Sequence, residues 1–242
     1  MTTLVFDIET VGESWESLDE TTQQVLSRWI VHTIQNKDER GAALADLKEG
    51  LGFSPLTGMV VAIGLYDVER GQGVVYYQGD LATPDYEVNG FLIKCRSEKE
   101  MLEDFWEGAK AYDTFVTFNG RGFDVPFINL RSAILGIRPT HDLMDGRYLY
   151  QQKQTRHVDL QDQMTFYGAM QKRPSLHLFC RAFGIESPKE GGVAGDDVAK
   201  LFLVKKFRDI AEYNARDVIA TTELYKKWCT YLAPQSFLET LD

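Results

Sequence analysis

Thr3-Leu4-Val5-Phe6-Asp7-Ile8-Glu9-Thr10 is an apolar run that closes on two carboxylates. Thr3 to Ile8 reads as a short strand, and Glu9 to Gly12 leads out of it. Side chains alternate along a strand, so Asp7 and Glu9 share one side of its end. Two like charges at a half-buried strand end repel one another. A divalent cation is one reason to keep both, and a solvated turn with two acids is the other.

Further along, Met59-Val60-Val61-Ala62-Ile63-Gly64-Leu65-Tyr66 is apolar enough for a central strand. Gly73 to Tyr77 reads as its hairpin partner across Glu69-Arg70-Gly71-Gln72. A loop over Pro84 to Gly90, a strand over Phe91 to Cys95 and a strand over Thr114 to Phe118, ended by Asn119-Gly120, follow. Ser97 and Glu100 form a capping box for a helix running to about Ala111. Further helices are expected over Val125 to Leu135, Ser175 to Phe183 with a stop at Gly184, Asp197 to Leu203, and Phe207 to Trp228. Strands with interspersed helices indicate an α/β fold, a central mixed β-sheet flanked by helices. Between the first strand and Met59, the pairs Val25/Trp29 and Leu26/Ile30 are four apart, which predicts an amphipathic helix. A second short helix is expected over Gly41 to Lys48. The whole chain, 1–242, reads as one domain with a helical insertion at about 12–58.

The bulk numbers bound the function. With 242 residues the chain is long enough to bury a full core. Its formal net charge is −10, from 36 acidic and 26 basic residues. That balance argues against a binder held by phosphate attraction alone. It leaves room for an enzyme whose carboxylates hold cations. Cys95, Cys180 and Cys229 are far apart and odd in number, as expected of reduced thiols in the cytoplasm. The N-terminus has no signal-peptide pattern and no apolar run spans a membrane, so no membrane association is expected.

Two further stretches carry acids. In Phe118-Asn119-Gly120-Arg121-Gly122-Phe123-Asp124-Val125-Pro126, Asp124 falls just past a strand, where a helix begins. Ligands collect at such strand ends in α/β sheets, but Asp is also a good helix cap. In Tyr213-Asn214-Ala215-Arg216-Asp217, Tyr213 and Asp217 are four apart and share a helix face. Four carboxylates without Cys or His zinc spacing suit hard, oxygen-ligated cations, Mg²⁺ or Mn²⁺. Two such ions, roughly 3.5–4 Å apart, can activate a water and stabilise a leaving oxygen in phosphoester cleavage.

These three segments, in this order, resemble the DEDD (DnaQ-like) 3′–5′ exonuclease superfamily, in the branch with a tyrosine in its last motif. The chain is most similar to the proofreading domain of family B DNA polymerases. The resemblance spans residues 7 to 217 and implies a ribonuclease-H-like fold, two divalent cations and release of 5′-mononucleotides from a 3′ end. By it, Asp7 would bridge both ions, Glu9 and Asp217 would complete one, Asp124 would hold the other, and Tyr213 would orient the attacking water. Asn119 is a candidate substrate contact or a plain Asn-Gly turn residue, and Phe123, Phe127 and Tyr148 are candidate base-stacking rings or ordinary core aromatics, with Phe123 also a candidate substrate contact. Single-stranded DNA ends are the expected partner, with RNA as the alternative and protein partners unspecified. A polymerase domain does not fit in this length, so proofreading in cis is not expected. A ribonuclease-H-like endonuclease and a noncatalytic nucleic-acid-binding module are the competing readings.

Three features lie outside the motifs. His157-Val158-Asp159-Leu160 is similar to a segment of the polymerase-like branch, with a structural role for Asp159 as strong a reading as a supporting one. Arg147, Lys153 and Arg156 could reach phosphate from an exposed surface over Asp142 to Arg156. The glycine-rich stretch Ser187 to Asp196 reads as a substrate-side flap or a plain surface loop.

Overall fold

The computed structural model describes residues 2–191 and 195–239. A seven-stranded mixed sheet has the order β4-β5-β3-β2-β1-β6-β7. Its strands are β1 (Thr3–Gly12), β2 (Gly58–Asp67), β3 (Gln72–Tyr77), β4 (Tyr86–Val88), β5 (Phe91–Cys95), β6 (Thr114–Thr117) and β7 (Arg156–Asp159). β1, β2 and β3 form an antiparallel meander, whereas β6 and β7 continue parallel to β1 on the other side. The helices are α1 (Glu20–Thr33), α2 (Lys37–Glu49), α3 (Glu98–Ala109), α4 (Asp124–Ile134), α5 (Leu160–Met164), α6 (Leu176–Phe183), α7 (Val198–Leu203), α8 (Phe207–Tyr231) and α9 (Gln235–Leu238). The arrangement is the α/β, ribonuclease-H-like architecture expected from the sequence.

Alternation along β1 divides the core in two. Leu4, Phe6 and Ile8 point to the face covered by α3 and α4, where Phe105, Trp106, Phe127 and Ile128 are buried. Val5 points to the opposite face, where α8 lays down Ile210, Val218, Leu224 and Trp228. Asp7 and Glu9 follow Val5 by steps of two and so face α8. Burial on both faces explains why β1 and β2 read as nearly continuous apolar runs.

β1 is longer than its apolar core suggests. It pairs with β2 as far as Gly12↔Gly58, so Asp7 and Glu9 lie inside the strand rather than at its end. The register slips from Glu9↔Ala62 to Thr10↔Val60, leaving Val61 as the extra residue of a bulge. A bulge bends the strand and re-aims its side chains, here directly beside the carboxylates. Two short strands escape the sequence reading. β4 falls in the expected Pro84–Gly90 loop, and β7 is a polar-looking Arg-His-Val-Asp run. β7 is nonetheless buried from His157 onward. The His157 ring bonds Thr117 Oγ1 at 2.8 Å and the Leu143 carbonyl at 2.9 Å. Burial holds its pKa down at about 4, so the ring stays neutral.

Between β1 and β2, Asp19 caps α1 by accepting from the Thr22 N–H, and Asn36 caps α2. A 3-10 turn at Gly50–Phe53 then returns the chain to β1. There Gly12 and Gly52 pack backbone to backbone; a Cβ on Gly52 would lie 2.9 Å from the Gly12 nitrogen. A half-buried ion pair lies beside the next turn. Glu98 accepts from Arg131 through both carboxylate oxygens, at 2.8 and 2.7 Å, and from the Val60 N–H. Among the described residues no helix is long and apolar enough to cross a membrane.

Candidate metal centre

Three elements bring the acids together. β1 carries Asp7 and Glu9, and α8 crosses the same face with Tyr213, Asn214 and Asp217. One carboxylate oxygen from each of Asp7, Glu9 and Asp217 lies within 4.8 Å of the others. Asp124 starts α4, and its Oδ1 accepts the Ile8 N–H at 3.1 Å. It is not one of the three acids within 4.8 Å, and its charge acts on both Asp7 and Glu9. Glu9, Asp124 and Asp217 are buried, and Asp7 is half-buried.

The electrostatics follow from this packing. Burial, and then the charges of Asp124, Asp217 and Glu9, push the Asp7 carboxyl well up. Glu9 is raised in the same way by burial and by Asp217 and Asp124. Burial pushes Asp124 and Asp217 each up to about 7, against the pull of two backbone N–H bonds on the former and of Tyr213, Arg216 and Lys189 on the latter. Four crowded carboxylates raised together are a set that a divalent cation would discharge. The donors are all oxygens, as Mg²⁺ or Mn²⁺ require. The residues therefore fit a divalent cation.

In metal-free protein these acids keep protons that the unfolded chain, with Asp at its ordinary 3.8, has lost. The cost is absent below that value, grows as pH rises from 3.8 to about 7, and is fully present above. The Tm measured with chelator should therefore fall by several degrees between about pH 5 and about pH 8. Mn²⁺ should restore it, most strongly at the higher pH. A Tm indifferent to both would contradict this charge state.

Asn214 is a site residue that the sequence showed only as a letter between Tyr213 and Asp217. It is fully buried, and its Nδ2 donates to Asp7 Oδ2 at 2.8 Å. Its Oδ1 has no hydrogen-bond partner and rests against Gly64 of β2. Gly64, directly opposite Asp7 in β2, makes room for it. A Cβ there would overlap Asn214 Oδ1 and sit 2.8 Å from Val218 Cγ2. The signal was available: an isolated glycine in an apolar strand marks a close approach.

The remaining candidates have mixed placements. Asn119 adopts the left-handed conformation, φ 62°, which Asn tolerates better than most residues. Its N–H donates to Asp159 Oδ1 at 3.0 Å, and the Arg121 N–H donates to Asp159 Oδ2 at 2.9 Å. Asp159 also caps α5, so it braces the loop leading to Asp124. Phe123 lies at the rim, 5.5 Å from Phe127 and 6.4 Å from Phe53 between ring centroids. Phe127 is core, 1% exposed, and is excluded as a base-stacking ring. Phe53, which sequence reasoning did not single out, is exposed beside Phe123. Within the glycine-rich stretch, Pro188–Gly191 forms a 3-10 turn, Lys189 acts on Asp217, and Gly195 lies near the Tyr213 hydroxyl. Gly192 to Ala194 fall outside the described residues.

The family described as "Predicted 3'-5' exonuclease related to the exonuclease domain of PolB" matches residues 78–237, well over half the chain. The chain belongs to this family. A stretch of 69 residues is 35% identical to a DNA polymerase of Methanocaldococcus jannaschii, covering 28% of this chain. The fold is similar to that of the family B DNA polymerase from the hyperthermophilic archaeon Pyrobaculum calidifontis. That similarity has a TM-score of 0.58 at 18% identity over 94% of this chain. The matched regions span only 4% and 24% of those two polymerases. The domain is therefore a DEDD-like, PolB-related 3′–5′ exonuclease domain with an acidic cluster suited to a divalent cation.

Proposed function

We propose that this domain removes nucleotides one at a time from the 3′ end of single-stranded DNA, with RNA as the alternative substrate. The observation that carries the reading is the convergence of Asp7, Glu9 and Asp217 oxygens within 4.8 Å, beside buried Asp124 and Tyr213. Two divalent cations, Mg²⁺ or Mn²⁺, held by Asp7, Glu9 and Asp217 and by Asp7 with Asp124, would make water a nucleophile at neutral pH and stabilise the leaving oxygen. Water adds to phosphorus and the bond from phosphorus to the O3′ atom breaks. The shortened strand keeps its 3′-hydroxyl and the released nucleotide keeps a 5′-phosphate.

The chain's own groups orient these reactants. Asn214 fixes one oxygen of Asp7, leaving the other free to turn toward the cluster. Burial, and then the charges of Asp217, Glu9 and Asp7, hold the Tyr213 hydroxyl protonated far above neutral pH, and it is hydrogen-bonded to Asp217. It therefore orients water as a neutral phenol instead of acting as a base. Tyr213→Phe should lower kcat on the order of ten- to a hundredfold with KM little changed; wild-type turnover in that variant would reject the role. Cys95, Cys180 and Cys229, odd in number and far apart in sequence, suit a cytoplasmic setting.

Matched 5′-labelled and 3′-labelled DNA and RNA, followed over time with Mn²⁺, test the reading. The 5′-labelled strand should shorten as a ladder from the far end while the 3′ label leaves at once as a mononucleotide. Internal fragments appearing first would favour an endonuclease on the same fold.

A further inference from the structure

We propose that the sheet edge beyond β7 carries a second contact for the same strand, a stacking surface of Tyr148, Tyr150 and Tyr167 that takes nucleobases upstream of the 3′ end. The inference rests on the substrate being a single strand but not on its cleavage.

Charge is the first observation. Residues 146–185 hold six cations (Arg147, Lys153, Arg156, Lys172, Arg173 and Arg181) and two acids, with Asp142, Asp145 and Glu186 at the flanks. Both acids are engaged. Asp159 accepts backbone N–H groups through both oxygens, and Asp162 is bound by Arg147 at 2.9 and 2.7 Å. Lys153, Lys172 and Arg173 are exposed. The exposed cations of this segment offer phosphate contacts on a chain whose net charge is −10.

The rings are the second observation. Tyr150 is 83% exposed and stacks on Tyr148, with centroids 5.6 Å apart and planes 13° from parallel. Tyr148 also meets Tyr167 at 4.6 Å. The three border a cleft of about 430 Å³ that Arg156, Gln163 and Phe237 complete. The outer face of an exposed, nearly parallel ring pair is where a nucleobase would continue the stack, and every base has such a face.

The backbone is the third. Phe166 and Tyr167 are both left-handed, φ 52° and 55°, a conformation that costs bulky residues energy. Specific bonds hold them there. The Tyr167 N–H donates to the Asp162 carbonyl and Gln163 Nε2 donates to the Tyr167 hydroxyl, both at 2.7 Å. α5 links this surface to the acidic end: its cap, Asp159, braces the loop before Asp124, and the helix itself is only about 7.5 Å long. A strand entering the acidic cluster can thus reach the tyrosines with nucleotides that are not being cut.

Fluorescence anisotropy in chelator, where no hydrolysis occurs, tests this with the full chain. A labelled oligothymidylate of roughly twenty nucleotides and a labelled dinucleotide serve as probes. Tyr150→Ala and Tyr148→Ala should each weaken the long probe about tenfold and leave the dinucleotide unchanged. Tyr150→Phe, which keeps the ring, should bind as wild type. Lys153→Ala should lower the slope of affinity against salt by about one. Wild-type affinity for the long probe in Tyr150→Ala would overturn the proposal. So would equal weakening of both probes, displacement of the long probe by thymidine monophosphate at the dinucleotide's potency, or a surface that binds only protein. If the Tyr150 effect holds while wild type fails to hydrolyse DNA, the catalytic reading fails and this one stands.

Discussion

Asp7→Asn is expected to abolish metal-stimulated hydrolysis, a loss on the order of a thousandfold or more, while leaving the fold intact. The reason is positional. Asp7 sits in β1 between its partner strands β2 and β6, faces α8, and is the acid on which the charges of Asp124, Asp217 and Glu9 all converge. Asparagine keeps the volume and can still accept from Asn214 Nδ2, so packing survives. Removing an acid whose pKa the fold raises should raise the Tm of the metal-free protein at neutral pH. The same variant should lose the stabilisation that Mn²⁺ confers on wild type. Rate assays and thermal scans with and without Mn²⁺ check both halves. A variant that stays active, or a collapse of Tm in chelator, would show that Asp7 is a packing residue.

Gly64→Ala should damage both stability and activity without touching an acid. The new methyl would overlap Asn214 Oδ1 and press on Val218 Cγ2, both on the buried face of α8. Overpacking of this kind costs about 1–3 kcal/mol. Moving the Asn214 amide off Asp7 should also lower kcat on the order of tenfold or more. Asn214→Ala in the Gly64→Ala background tests the coupling: removing the obstructing amide should recover most of the lost Tm but not the activity. Additive losses of Tm would mean that Gly64 and Asn214 do not meet.

Much of this was legible in the sequence because the signals were local. β2 and β3 declare themselves by apolar content, α3 by its capping box, and the end of α6 by Gly184 with φ 67°. The pairing of Asp7 with Glu9 on one face needs only strand periodicity. What escaped depends on distant partners. β7 looks polar because His157 and Asp159 are satisfied by Thr117, Leu143 and the Asn119–Arg121 backbone, none of them near in sequence. The far half of β1 is held by Gly58, Met59 and a bulge at Val61, so its own composition understates it. Asn214 could not be separated from its neighbours until α8 was laid across Gly64. Phe127 and Phe123 are near-identical in local context, and packing makes one core and the other rim.

The proposed function is removal of the 3′-terminal nucleotide by metal-dependent hydrolysis at the acidic cluster. It is tested most directly by following release of a labelled 3′-terminal nucleotide from single-stranded DNA, by wild type and Asp7→Asn, in Mn²⁺ and in chelator. The expected result is a 5′-monophosphate product formed by wild type with Mn²⁺ and by neither protein in chelator, with Asp7→Asn inactive throughout. Release that persists in chelator, or equal release by Asp7→Asn, would contradict it.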